Sequence, residues 1–177
     1  MNAEIKPITY PKDDEWRGPG VSAAIFRNGE HGPEVLILKM GTGRYEGKYC
    51  LPGDFLRMNE GGEQKAADVI KEQTGLTVSF IGQVDAETRP GRDILQTVGV
   101  NFFAEDSGTT ELRAGGTAVE ARWVPVAEVP KLEFFHNRVV QQALPKLEEH
   151  NAQRERVRAA FGFVEAHMPD SRALKVK

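Results

Sequence analysis

Apolar positions recur at two different periods along this chain, and the change of period marks out its elements. Val21 to Phe26 (VSAAIF) and Val35 to Met40 (VLILKM) are apolar at nearly every position. A strand covered on both faces reads this way. Asn28-Gly29 between them is a turn signal. Thr77 to Glu87, Thr97 to Ala104 and Glu120 to Pro125 predict three further strands. Between the second and third strands the period lengthens. Ala66, Ala67, Ile70 and Thr74 fall at i, i+1, i+4 and i+8, one face of a helix, and Gly75 stands where a helix C-terminus favours left-handed backbone. Val126 to Pro130 predicts a short helical turn. Arg138 to Glu149 predicts a late helix that Pro145 kinks or bounds. Arg154 to His167 predicts one more, with Val157, Ala160, Phe161 and Val164 on one face. Residues 1 to 19, punctuated by Pro7, Pro11, Gly18 and Pro19, read as an extended arm, and Asp106 to Thr117 as a Gly/Thr-rich turn region.

Composition narrows the class without naming a chemistry. The 177 residues suit one domain with a full core, burying roughly 70% of the unfolded surface. A net charge of −3 gives no electrostatic case for nucleic-acid binding. The one cysteine, Cys50, excludes an internal disulfide framework, suits a reducing compartment, and reads as a small buried hydrophobe. No apolar run approaches the ~20 residues of a membrane span, and the N-terminus lacks a signal peptide's hydrophobic region. A cytoplasmic location is the expectation.

The stretch from Gly47 to Leu76 (GKYCLPGDFLRMNEGGEQKAADVIKEQTGL) combines a Pro52-Gly53 turn, a Gly-rich loop and the helix ending at Gly75. It resembles the Nudix box, G-x5-E-x7-R-E-U-x-E-E-x-G-U, where U is bulky and apolar. Aligned on Gly75-Leu76, Glu60 takes the loop glutamate, Ile70 the apolar position and Glu72 the first of the paired glutamates. Asp54 stands at the first glycine, Asp68 at the arginine, Val69 at the next glutamate and Gln73 at the second paired glutamate. The segments RPGRD (89–93), EARWVP (120–125) and FFHN (134–137) are similar to a Nudix branch containing ADP-ribose pyrophosphatases and Nudix-related regulators of NAD metabolism. The resemblance covers residues 8 to 150 and implies an α+β fold, a mixed β-sheet sandwiched between α-helices. The division it implies is an arm over 1–19, a Nudix domain over 20–150, and a C-terminal helix and tail over 151–177. The regulators carry a winged helix after the Nudix part. The 27 or so residues after His150 are too few for one, so direct DNA binding is not expected.

What the resemblance implies for the site follows residue by residue. An active enzyme of this family cleaves a pyrophosphate with Mg2+ or Mn2+, held here by Glu72, Asp68 and Glu60 if the ligands have relocated; Asp68 and Glu72, four apart, leave one helix face. Glu63 extends that acidic set. Glu60, Glu72 and Glu120 are the catalytic candidates, Glu120 and Glu111 as water-activating bases, with a structural pairing of Glu120 to Arg122 as the alternative. Valine offers a cation nothing, and glutamine a neutral carbonyl. Arg44, Arg89 and Arg92 suit diphosphate or ribose oxygens, with Tyr45 or Trp16 for base stacking and Asp93 in the same loop. His136 matches a family histidine, with capping or packing as its alternative role. Three functions remain open: a binder of an ADP-ribose-like nucleoside diphosphate compound with little or no hydrolysis, acting as sensor or interaction module; a divalent-metal-dependent pyrophosphohydrolase with relocated ligands; or an interaction protein with a vestigial cleft. A homodimer is the assembly expected by analogy.

Overall fold

The computed structural model describes residues 18–91 and 97–167. Strands β1 (Gly20–Gly29) and β2 (Gly32–Met40) form a hairpin. A single 3-10 turn (Gly43–Tyr45) leads to the short strands β3 (Tyr49–Cys50) and β4 (Gly53–Phe55). Helix α1 (Gly62–Thr74) follows, then β5 (Val78–Glu87), β6 (Gly99–Asp106), β7 (Ala118–Pro125), a 3-10 turn (Val126–Glu128) and helix α2 (His136–His167). The strands make one seven-stranded sheet whose main path runs β3-β2-β1-β6-β5, with β4 on β1 and β7 on β2. β1 pairs parallel with β6 and antiparallel with the others, so the sheet is mixed.

The continuous apolar runs are explained by the two cores they serve. Val21, Ala23 and Ile25 of β1 join Leu36, Phe102 and Ala104 under α1, against Ala66, Ile70 and Leu76. The alternate positions Ala24 and Phe26 join Val35, Ile37 and Phe103 under α2, against Val139, Val140, Ala143 and Leu147. Side chains on a strand alternate faces, so a strand between two helical layers must be apolar throughout. The exceptions on the α2 side are satisfied polar groups. Ser22 Oγ donates to Asn101 Oδ1 at 2.7 Å, and Asn101 Nδ2 donates to Asp85 Oδ1 at 2.8 Å, tying β1, β6 and β5 together. Among the described residues no helix is long and apolar enough to cross a membrane.

Two local expectations are corrected. The first hairpin turns at Glu30 and His31, not at Asn28-Gly29, because Asn28 pairs with Pro33 and Gly29 with Gly32, whose φ of 122° closes the loop. The two late helices are one 32-residue helix that runs through Pro145. Proline removes a bond to the carbonyl four residues earlier. Here that residue, Gln141, is exposed to water as Pro145 is, while buried Ala143 and Leu147 hold both sides of the interruption on the sheet.

Candidate functional site

The box positions that lack glutamate have been put to structural use. Val69 is 2% exposed, a core residue of α1. Gln73 closes on one residue at both ends: its Nε2 donates to Gly53 O at 3.0 Å, and its Oε1 accepts from Gly53 N–H at 3.1 Å. The last turn of α1 is thereby fastened to the start of β4. Gly53 is needed there, since a Cβ would lie 2.6 Å from the Val21 carbonyl oxygen.

Lys65, which sequence reasoning passed over, dominates the charge of this region. It is 8% exposed, with Nζ 3.1 Å from Asp54 Oδ2 and 3.6 Å from Glu60 Oε1. The other Glu60 oxygen accepts the Arg57 N–H at 2.7 Å. A buried ammonium needs compensating charge, and Lys65 takes it from both loop carboxylates. The signal was available: Lys65 lies three residues before Asp68, on the same side of the helix, so a cation is kept one turn earlier than the arginine of the box.

The expected gathering of Asp68, Glu72 and Glu60 therefore does not occur. Asp68 is exposed and accepts from Gln64 Nε2 at 2.9 Å; Glu72 is exposed beside Gly116; Glu60 is turned to Lys65 and the Arg57 amide. Among the described residues no group of three or more His, Cys, Asp or Glu side chains is placed to hold a metal ion. A hard divalent cation wants several anionic oxygens at one point. Glu60 turned to Lys65 and Asp68 and Glu72 held apart on the exposed face, with Gln73 clamped and Val69 aliphatic, do not bring such a set together. Glu63 instead borders an open depression of about 620 Å3 at the start of α1, lined also by Gly61, Gly62, Gln64, Ala67 and Ile81.

The remaining acidic candidates lie on the surface away from Lys65, one of them paired to an arginine. Glu120 Oε1 lies 3.2 Å from Arg122 Nε, two residues along one face of β7, with both side chains well exposed. Glu111 is exposed at the start of the loop that finishes α1, where Arg113 N–H donates to Thr74 O at 2.9 Å and Gly115 N–H to Gln73 O at 3.0 Å. These bonds satisfy carbonyls that a helix end leaves unpaired. Gly75 closes the helix with φ 72°.

A second constellation lies where α2 begins. Tyr45 meets Phe134 edge-on, with ring centroids 4.5 Å apart. His136, 3% exposed, accepts the Leu51 N–H on Nδ1 at 2.9 Å, which makes that nitrogen the unprotonated one and gives His136 a packing role. One residue from Phe134, the Phe135 ring carries the Arg89 guanidinium 5.5 Å from its centroid. Arg89 is held in turn by Glu87 at the end of β5. Nε bonds both Glu87 oxygens at 2.8 and 3.0 Å, NH2 bonds Oε2, and the Arg89 N–H donates to Oε1 at 2.9 Å. The Arg89 side-chain hydrogen bond brings the Glu87 carboxyl down to about 2 against the opposing effect of burial, helped by the Arg89 backbone amide and the charges of Arg89 and Arg138. Phe134 and Phe135 so join Tyr45 on one side to Arg89 on the other. Arg44 lies in the adjoining 3-10 turn, while Trp16, Arg92 and Asp93 fall outside the described residues. Glu87 was legible as a carboxylate at the end of a strand, two positions before Arg89. Cys50 is buried nearby, and burial, then the Glu133 carboxylate, push its thiol up to about 12, as suits an inert core residue.

Comparison with known proteins places the chain. The family profile of the NUDIX domain matches residues 16–143. The ADP-ribose pyrophosphatase of Methanocaldococcus jannaschii is 31% identical over 108 residues, 61% of this chain and 64% of the relative, so the match spans less than two thirds of that protein's length. The NUDIX domain of Shewanella oneidensis NrtR, determined as a cocrystal with ADP ribose, superposes with a TM-score of 0.67 at 24% identity, covering 75% of this chain and 90% of that one. A MutT/nudix family protein from Enterococcus faecalis superposes with a TM-score of 0.66 at 21% identity, covering 81% and 65%.

Proposed function

The chain belongs to the Nudix family, and from that premise we propose that it binds an ADP-ribose-like nucleoside diphosphate compound with little or no hydrolysis, as a sensor or interaction module. The observation that carries this reading is the ion pairing of Lys65 with Asp54 and Glu60. An internal cation has taken the loop carboxylates, Val69 is core, and Gln73 is a backbone clamp. Arg89 and Tyr45 supply what an anionic, ring-bearing ligand needs: a fixed guanidinium and an aromatic edge. The ADP-ribose bound by the NrtR NUDIX domain and the activity named for the archaeal relative support this ligand class.

The second reading, a pyrophosphohydrolase with relocated ligands, rests on Asp68 and Glu72, which are both exposed one turn apart. One pair of measurements separates the two. Calorimetric titration with ADP-ribose is expected to saturate equally in EDTA and in Mn2+, and product analysis to show turnover well below ~1 s−1, the low end of ordinary enzymes. Turnover at or above that rate, abolished by Glu72→Gln, would establish the hydrolase instead. Absence of binding to any nucleoside diphosphate compound would leave the cleft vestigial.

A further inference from the structure

Phe134 and Phe135 both hold φ at 60°, a left-handed backbone that bulky side chains rarely adopt. Conformational cost of this kind persists where packing repays it or where function requires it. For Phe134 the repayment is visible: it meets Tyr45 edge-on, lies 5.4 Å from the His136 ring and packs on the Leu38–Cys50–Ala118 cluster. Phe135 has no comparable burial. It is 42% exposed, and among the described residues its recorded ring contact is the Arg89 guanidinium.

The support beneath that ring is rigid. The Phe135 carbonyl accepts the Arg138 N–H at 2.9 Å in the first turn of α2, and the His136 N–H donates to Glu133 O at 3.1 Å. Glu87, 7% exposed, holds the guanidinium through both of its carboxylate oxygens. The result is a part-exposed aromatic ring with a guanidinium, itself paired to Glu87, held 5.5 Å from its centroid. Such a ring recognises a flat π-system carried on an anion, the combination found in a nucleotide.

We propose that Phe135 is a base-stacking residue, holding the purine ring of a nucleoside diphosphate while Arg89 meets its negative charge. This rests on the nucleoside-diphosphate reading above and adds which side chain reads the base. It also accounts for an aromatic residue at a position where asparagine or glycine would be less strained.

The test uses the full chain with Phe135→Asn, Phe135→Leu and Phe135→Tyr, titrated with ADP-ribose and with ribose 5-phosphate, which has no base. Phe135→Asn removes the ring and eases the backbone; Phe135→Leu keeps the strain and the bulk but has no π-face. Both are expected to bind ADP-ribose roughly 5- to 150-fold more weakly, the span for losing one base–aromatic stack, with ribose 5-phosphate unaffected. Phe135→Tyr should bind as the wild type does, and Phe135→Asn should melt no lower than the wild type. If the wild type binds ADP-ribose and the Asn and Leu variants bind it equally well, the stacking role is overturned while the ligand class stands. Equal losses for both ligands, or a lower melting temperature for Phe135→Asn, would make Phe135 a packing residue and overturn it too. A wild type that does not bind ADP-ribose overturns both readings together.

Discussion

Lys65 decides what the carboxylates around it can do, and its removal is the most direct probe of the box. Lys65→Met keeps the buried stem and deletes the charge. Asp54 and Glu60 would then stand without their cation, which is expected to cost about 1–2 kcal/mol. That is less than a fully buried pair, because the Asp54 side chain is 43% exposed. The freed carboxylates should also make the melting temperature rise on adding Mn2+, which the wild type should not show. An Mn2+ response identical in both proteins would mean that Lys65 is not what keeps a cation out. Glu87 carries a pH dependence whose sign is fixed by its depressed carboxyl. The group titrates at about 2 when folded against an ordinary 4.5, so its stabilisation is complete above pH 4.5 and is lost as pH falls from there through 2. Melting curves across that window should fall less steeply for Glu87→Gln than for the wild type; parallel curves would show that the Arg89 pair is not what lowers this carboxyl.

At the scale of elements, the loop Glu111–Thr117 acts as a clip over the end of α1. Gly115→Ala would place a Cβ 2.4 Å from the Glu72 carbonyl oxygen, a backbone atom that cannot step aside. The clip should lift, costing about 1–3 kcal/mol, and hydrogen exchange should quicken at the Arg113 and Gly115 amides. Unchanged exchange would show that the loop has room to spare. The sequence already announced α1, since Gly75 ends it and the apolar spacing faces the core. It announced β1 and β2 as continuous apolar runs, because a strand between two helices must be apolar at every step, and β5 to β7 as further strands. It did not announce β3 and β4, which at two and three residues are too short for any periodicity. Nor did it reveal that α2 passes through Pro145, which depends on the burial of Ala143 and Leu147 beside it. In the site, residue type alone showed that Val69 and Gln73 offer a cation no carboxylate. Their new tasks were not legible, because a core contact and a clamp on Gly53 depend on tertiary packing.

For the molecule as a whole, the body of the fold ends before α2 does. Ala143 and Leu147 are buried, whereas Val157 and Phe161 are 47% and 67% exposed on the outer half of the helix. The outermost described tie to the sheet is Arg154 NH1 to Glu105 Oε2 at 3.1 Å. A chain stopped after Arg156 is expected to melt within about 2 °C of the full protein, since Val157 and Phe161 stand exposed. A larger drop that shrinks on dilution of the full-length protein would show that a second copy covers the outer half of α2, as a homodimer would require.

The parallel seam between β1 and β6 governs how a ribosome can deliver this protein. Ser22 and Asn101, bonded across that seam, are 79 residues apart. At ~5–20 residues per second, β1 waits roughly 4–16 s for its central neighbour to be synthesised, although its hairpin with β2 closes in microseconds. β5 emerges in the meantime and must wait as well, because β6 is made after both strands it separates. The nascent chain thus carries two apolar strands with an unfilled slot between them, each an open edge on which another chain can pair. Growth of the polypeptide past Asp106 is what closes the slot.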